Sequence, residues 1–87
     1  MKISIEMSLY PLTGDYLPSI AEFIEDLNSQ SAMEVRTNAL STQISGEYDL
    51  VMSTIQTCLR KAFESGPTFS FVSKILNVDI TESEYYS

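Results

Sequence analysis

Histidine and tryptophan are absent from this chain of 87 residues, and cysteine occurs once, at Cys58. With no imidazole and a single thiol, one chain cannot build a His/Cys zinc site, a Cys–His nucleophile or an intrachain disulfide. Basic side chains are scarce as well. Lys2, Arg36, Arg60, Lys61 and Lys74 stand against 12 acidic residues, for a net charge of −7. Five scattered cations make no basic face to neutralise phosphates, so nucleic acid is excluded as a partner. An anionic membrane surface repels such a chain. A cationic ligand is electrostatically welcome, although the same acidity also serves solubility alone. No apolar run reaches membrane-spanning length, and Met1-Lys2-Ile3-Ser4-Ile5-Glu6 lacks the apolar centre of a signal peptide. The expectation is a soluble, cytoplasmic protein. Glycine and proline number three each while 44% of residues are hydrophobic, which argues for one small folded domain rather than disorder.

Within that frame the hydrophobic pattern is regular. Residues 2–10 alternate, with Ile3, Ile5, Met7 and Leu9 on one side and Lys2, Ser4, Glu6, Ser8 and Tyr10 on the other, and Pro11 stops the strand. Leu12 to Asp15 reads as a turn, with Asp15 capping a helix whose apolar stripe is Leu17, Ile20, Phe23, Ile24 and Leu27 and which ends between Asn28 and Gln30. A second strand spans 33–37. Asn38-Ala39 forms a connection, and a third strand spans 40–45, with Leu40, Thr42 and Ile44 alternating with Ser41, Gln43 and Ser45. Gly46 is read as the strand breaker. A second helix follows, with Glu47 and Asp49 at its positive end and Val51, Ile55, Cys58, Leu59, Ala62 and Phe63 as its stripe. Gly66-Pro67 stops it, and 68–77 form a fourth strand.

The order strand, helix, strand, strand, helix, strand predicts a ferredoxin-like βαββαβ fold of class α+β: a four-stranded antiparallel sheet with two helices on one face. The domain is assigned to residues 1–78, and 79–87 to an acidic tail that frays. Strands 1 and 3 are central in this topology, which sets Glu6 and Ser8 beside Ser41 and Gln43. The last strand is apolar on both sides, with Phe69, Phe71 and Ile75 facing one way and Val72 and Leu76 the other. The helices cover only one face. The other is expected to meet a second subunit, unless the tail folds back over it.

The stretch Asn38 to Tyr48 is dense in short hydrogen-bonding side chains for a mid-sheet strand. Ser8-Leu9-Tyr10-Pro11 with Thr13 and Asp15, together with Thr37, Ser41-Thr42, Gly46, Asp49 and Val51, resembles the YkoF-type thiamin/hydroxymethylpyrimidine-binding domain family. The resemblance spans roughly residues 3–77, nearly the whole fold. It implies a ferredoxin-like domain that binds thiamin or its hydroxymethylpyrimidine precursor without catalysis, in thiamin supply or salvage. The family pattern has two such domains in tandem and this chain has one, so a homodimer or higher homo-oligomer is the implied assembly.

An aminopyrimidine presents donors and acceptors on its edge and two π faces, so its site needs short polar groups and an aromatic surface. Ser8, Asn38, Ser41, Thr42 and Gln43 offer the first, Tyr10 and Tyr48 the second, and Glu6 or Glu47 suits the thiazolium cation. Each also has a plain structural reading: Ser41, Gln43 and Ser45 as an exposed sheet face, Glu47 as a helix-terminus charge, Tyr10 as strand-end packing. By parity Thr42 points toward the helices; a bulge near Ala39 inverts this and leaves the pocket's face open. The carboxylate pairs Glu22/Asp26 and Glu82/Glu84 lie on a solvated helix face and a tail, unlike an acid/base pair in a cleft, so no enzyme activity is expected. The alternative function is a structural or regulatory subunit that recognises another protein and holds no small molecule.

Overall fold

A computed structural model describes residues 1–13, 17–29 and 32–82. Its elements run β1 (Lys2–Pro11), α1 (Leu17–Asn28), β2 (Glu34–Thr37), β3 (Thr42–Glu47), α2 (Tyr48–Phe63), β4 (Phe69–Leu76) and a 3-10 turn at Ile80–Glu82. The strands form one antiparallel sheet in the order β2-β3-β1-β4. This is the ferredoxin-like arrangement, with β1 and β3 central. The expected cap at Asp15, the helix end at Gln30 and the tail from residue 83, with Glu84, lie outside the described residues.

The core lies between sheet and helices. Ile3, Ile5 and Met7 of β1 and Ile44 of β3 project into it and meet Phe23 and Leu27 of α1 and Val51, Ile55, Cys58 and Ala62 of α2, all buried. These are the residues that alternation and helical spacing select, because each element can hide only one stripe. Phe63 departs from its stripe and is 47% exposed. It occupies the last residue of α2, next to Ala62, which closes the buried stripe.

β2 begins one residue later than expected and β4 is one residue shorter at each end, and β1 and β3 shift as well. β1 includes Pro11, which registers with Phe69. The Leu12 N–H donates to the Thr68 carbonyl at 2.8 Å, so by alternation the Pro11 nitrogen faces the other way. On that side the ladder to β3 has already ended at Met7–Thr42, and no partner loses a bond. β3 starts at Thr42 rather than Leu40 and continues through Gly46 to Glu47. Asn38 captures the start: its Oδ1 accepts the N–H groups of Leu40 (2.8 Å) and Ser41 (3.1 Å), which makes 38–41 a turn and leaves Leu40 88% exposed.

Gly46 does not break the strand. It pairs with Ile3 and is buried, and a Cβ there would lie 3.3 Å from both Met33 Cγ and Val51 Cγ2. The glycine lets the start of α2 and Met33 close down on the sheet. Gly66, at φ 122°, is the position that needs glycine for its backbone, in the turn from α2 to β4.

On the face away from the helices, Ile80 N–H donates to Ser4 Oγ at 2.9 Å, and the Ser4 and Ser45 hydroxyls lie 2.8 Å apart. Lys2 pairs with Glu82 at 3.3 Å. The chain from Asp79 to Glu82 therefore lies back over the Ser4 end of the sheet, where fraying had been expected. Val72 and Leu76 of β4 stay 56% and 45% exposed. No helix among the described residues is long and apolar enough to cross a membrane.

Candidate functional site

The ladder between β1 and β3 runs without interruption from Lys2–Glu47 to Met7–Thr42, so no bulge inverts the facing of β3. Thr42 and Ile44 face the helices, and Gln43 and Ser45 face the open side. This decides where the predicted residues go. At the end of the sheet where β1 leaves and β3 enters, a cleft of about 240 Å³ opens between α1 and the turn 38–41. Ile20, Phe23 and Ile24 of α1 form one wall, and Met7 and Leu9 contribute the floor. The polar side is made by Ser8, Thr37, Asn38, Ser41 and Thr42, with Tyr10 at the rim, 52% exposed.

Most of these polar groups are held in place by one another. Thr37 Oγ1 and Thr42 Oγ1 lie 3.2 Å apart across the β2–β3 pair, so one hydroxyl donates to the other and one proton stays available to a third acceptor. Ser8 Oγ donates to the Leu40 carbonyl at 3.4 Å, and Ser41 Oγ donates to Glu6 Oε2 at 3.3 Å. Asn38 spends its carbonyl oxygen on the turn, which directs its amide NH₂, a two-proton donor, away from that bond. The result is an apolar slot with hydroxyl and amide groups along one edge. It carries no charged side chain among its described lining residues.

Of the eight candidate positions, Ser8, Tyr10, Asn38, Ser41 and Thr42 are brought together here. Glu6 and Gln43 are cross-strand partners on the open face. They line a separate groove of about 200 Å³ with Ser4, Lys74, Leu76 and Ile80. Glu6 touches both regions, through Ser41 and through Lys74 Nζ at 4.0 Å. Glu47 belongs to neither. It ends β3 five residues beyond Thr42, roughly 17 Å away at strand rise. There its carboxylate meets the Met1 amino group at 3.2 Å, and Tyr48 follows it into α2. The plain reading of Glu47, a charge at a helix start, is the one its position fits.

Thr37 and the α1 wall of Ile20, Phe23 and Ile24 were not among the sequence candidates. The signal for Thr37 was available: in a tight β2–β3 hairpin it must face Thr42. The wall was invisible because Phe23 and Ile24 read equally well as ordinary core.

A larger depression of about 710 Å³ lies across α1 and α2, around Glu22, Gln56, Arg60, Lys61 and Glu64. Its charges satisfy each other. Lys61 Nζ contacts Glu22 at 2.7 Å and Asp26 at 3.2 Å, bonds that raise its pKa and keep it cationic, and Arg60 pairs with Glu64 at 3.0 Å. Its described lining residues are all polar or charged, and the α1–β3 cleft, walled by Ile20, Phe23 and Ile24, is the better candidate. Cys58 is buried beneath this surface. Burial first and Asp26 second push its thiol pKa up, with Lys61 opposing, so it stays protonated and unreactive. No cluster of metal-ligating side chains occurs among the described residues.

The sequence profile of the YKOF-related family matches residues 2–79. The chain belongs to that family. No curated protein sequence matches it. Among solved structures, protein SP2199 from Streptococcus pneumoniae superposes with a TM-score of 0.82 at 23% identity, covering 98% of this chain and 96% of that one. A Thermotoga maritima protein whose name assigns it provisionally to thiamine biosynthesis or salvage gives a TM-score of 0.76 at 18% identity, over 98% of this chain and 99% of its own. A Bacillus cereus domain of unknown function, DUF77, gives 0.74 at 17% identity, over 99% and 94%. At these identities the likeness establishes a shared fold.

Proposed function

We propose that this YKOF-related chain is a non-catalytic binding protein for thiamin or its hydroxymethylpyrimidine precursor, acting in thiamin supply or salvage in the cytoplasm as a homo-oligomer. The observation that carries the reading is the α1–β3 cleft, an uncharged slot walled by Phe23 and edged by Thr37, Thr42 and Asn38. A flat heteroaromatic ring enters between apolar walls, and its ring nitrogens and amino group meet hydroxyl and amide partners along one edge. Family membership and the thiamine-related name of the Thermotoga maritima neighbour support this choice of ring.

Size narrows it. Pockets for drug-sized ligands run from about 300 to 1,000 Å³, and this cleft holds about 240 Å³. One substituted ring fits inside. The thiazolium of thiamin extends past the rim, where Tyr10 offers an aromatic face to the cation. Catalysis is not part of the reading, because none of the slot's described lining residues is an Asp, Glu, Lys, Arg or Cys.

Calorimetric titration of ligand-free protein tests the proposal. Binding heat is expected with hydroxymethylpyrimidine and with thiamin. A well-folded chain that gives no heat with either compound refutes the reading and returns the protein to the class of interaction subunits.

A further inference from the structure

We infer that Glu6, from outside the α1–β3 cleft, fixes the hydrogen-bonding polarity of that cleft through Ser41. The cleft then takes a ring with an amino group beside a bare ring nitrogen and rejects the same ring with an oxo group in that place. The inference rests on the ring-binding reading above and adds to it a positioning residue and a rule for which ring is accepted.

The polarity follows from the bonds the cleft groups already make. A carboxylate has no proton to give at neutral pH, so the hydrogen between Ser41 Oγ and Glu6 Oε2, 3.3 Å apart, belongs to Ser41. With that proton committed, Ser41 Oγ has only lone pairs left for a ligand. Ser8 is fixed in the same sense, because the Leu40 carbonyl that it meets at 3.4 Å only accepts. Asn38 is fixed in the opposite sense. Its Oδ1 takes the N–H groups of Leu40 and Ser41, a role the amide nitrogen cannot fill, so what remains is the NH₂ donor. The polar edge of the cleft thus sets two committed acceptors, Ser8 and Ser41, beside a committed donor, Asn38. The Thr37–Thr42 pair, with one spare proton, adapts to either kind of partner.

An aminopyrimidine carries the matching pattern, amino N–H donors next to a ring nitrogen with a lone pair. An oxo group reverses both, since the carbonyl accepts and the neighbouring ring nitrogen gains a proton. The reversed ring sets oxygen against the serine oxygens and N–H against the Asn38 amide. Polar groups left unpaired in a cleft are costly, which is how a site built for one hydrogen-bonding pattern rejects a close analogue.

Of the two acceptors, Ser41 is the one whose polarity depends on a side chain. Glu6 projects from β1 on the open face and is half-exposed, so it can be changed without disturbing the core. In Glu6→Gln the new amide can donate as well as accept. Ser41 is then able to accept from it and turn its own proton to the cleft, where an oxo group receives it.

Calorimetric titration of the full chain with hydroxymethylpyrimidine and with its oxo analogue reads the polarity as a ratio of affinities. The wild-type chain should prefer the amino form by about tenfold or more. Glu6→Gln should lower that ratio at least about threefold while circular dichroism stays native. Ser41→Ala should lower it as well, and adding Glu6→Gln to Ser41→Ala should lower it no further, because the carboxylate acts only through the hydroxyl. A ratio that Glu6→Gln leaves at the wild-type value, or that drops again in the double variant, overturns the inference. So does a wild-type chain that binds both rings equally, which leaves the ring-binding reading standing. A wild-type chain that binds neither ring overturns both.

Discussion

Thr42 shows how one side chain is committed to a site by its neighbours. It is 6% exposed, faces the helices, and shares its hydroxyl with Thr37. Thr42→Val keeps the shape and removes the hydroxyl. Thr37 is exposed and recovers a water partner, so stability should change by less than about 1 kcal/mol in urea unfolding. A bound pyrimidine has no such substitute, and its affinity should fall roughly threefold to tenfold in calorimetry. An equal loss of stability and affinity would show that the hydroxyl serves packing alone. Gly46 makes the complementary case. Its φ is not positive, so Gly46→Ala tests space and nothing else. The new methyl meets Met33 and Val51 at 3.3 Å each. Val51 is fully buried and stiff at χ1 while Met33 is adaptable, and overpacking of this kind costs about 1–3 kcal/mol. The denaturation midpoint should drop accordingly, with the slope unchanged.

Among the elements, the 38–41 turn matters most to the cleft. It is short and largely exposed, and its shape depends on one side chain, Asn38, accepting two backbone N–H groups. The backbone bond from Asn38 N–H to the Ser41 carbonyl, 3.1 Å, closes it. Asn38→Ala leaves the Leu40 and Ser41 N–H groups to water. Global stability should fall by only about 1 kcal/mol, because β3 remains paired on both sides. Hydrogen exchange at Leu40 and Ser41 should accelerate while Ile44, in the centre of the sheet, stays protected. Ligand affinity should fall further than with Thr42→Val, since the variant removes both the amide donor and the order of the turn. Unchanged exchange at both amides would count against this account of the turn.

For the whole molecule, charge governs which form of the ligand is accepted. The five cations lie outside the cleft's described lining: Arg36 and Lys74 are on the open face, Arg60 and Lys61 on the helices, and Lys2 at the start of β1. A diphosphate entering from the rim meets no cation there and approaches a protein of net charge −7. Thiamin diphosphate should therefore bind more weakly than thiamin. Much of the difference is long-range and should narrow as salt rises from 0.01 M to 0.15 M, where the screening length shrinks from about 30 Å to about 8 Å. A diphosphate that binds as tightly as thiamin at low salt would reveal cationic help from beyond the described lining.

Alternation in β1, the stripes of both helices and the order of the elements were legible in the amino-acid sequence, and they determine the sheet order, because each element has one apolar side and few ways to hide it. The short polar residues around the turn were legible as well, and five of the eight candidates line the α1–β3 cleft. The separation of Glu6, Gln43 and Glu47 from that cleft was a tertiary decision. Strand parity puts Gln43 on the opposite face from Thr42, and strand length carries Glu47 to the far end, consequences that depended on where β3 begins. That start was set by Asn38, whose side chain competes with the ladder for two N–H groups at a place where propensity alone favours a longer strand. Gly46 holds its place in the strand for a related reason. Its signal is the same in a turn as in a strand, and only the packing of Met33 and Val51 above it distinguishes the two.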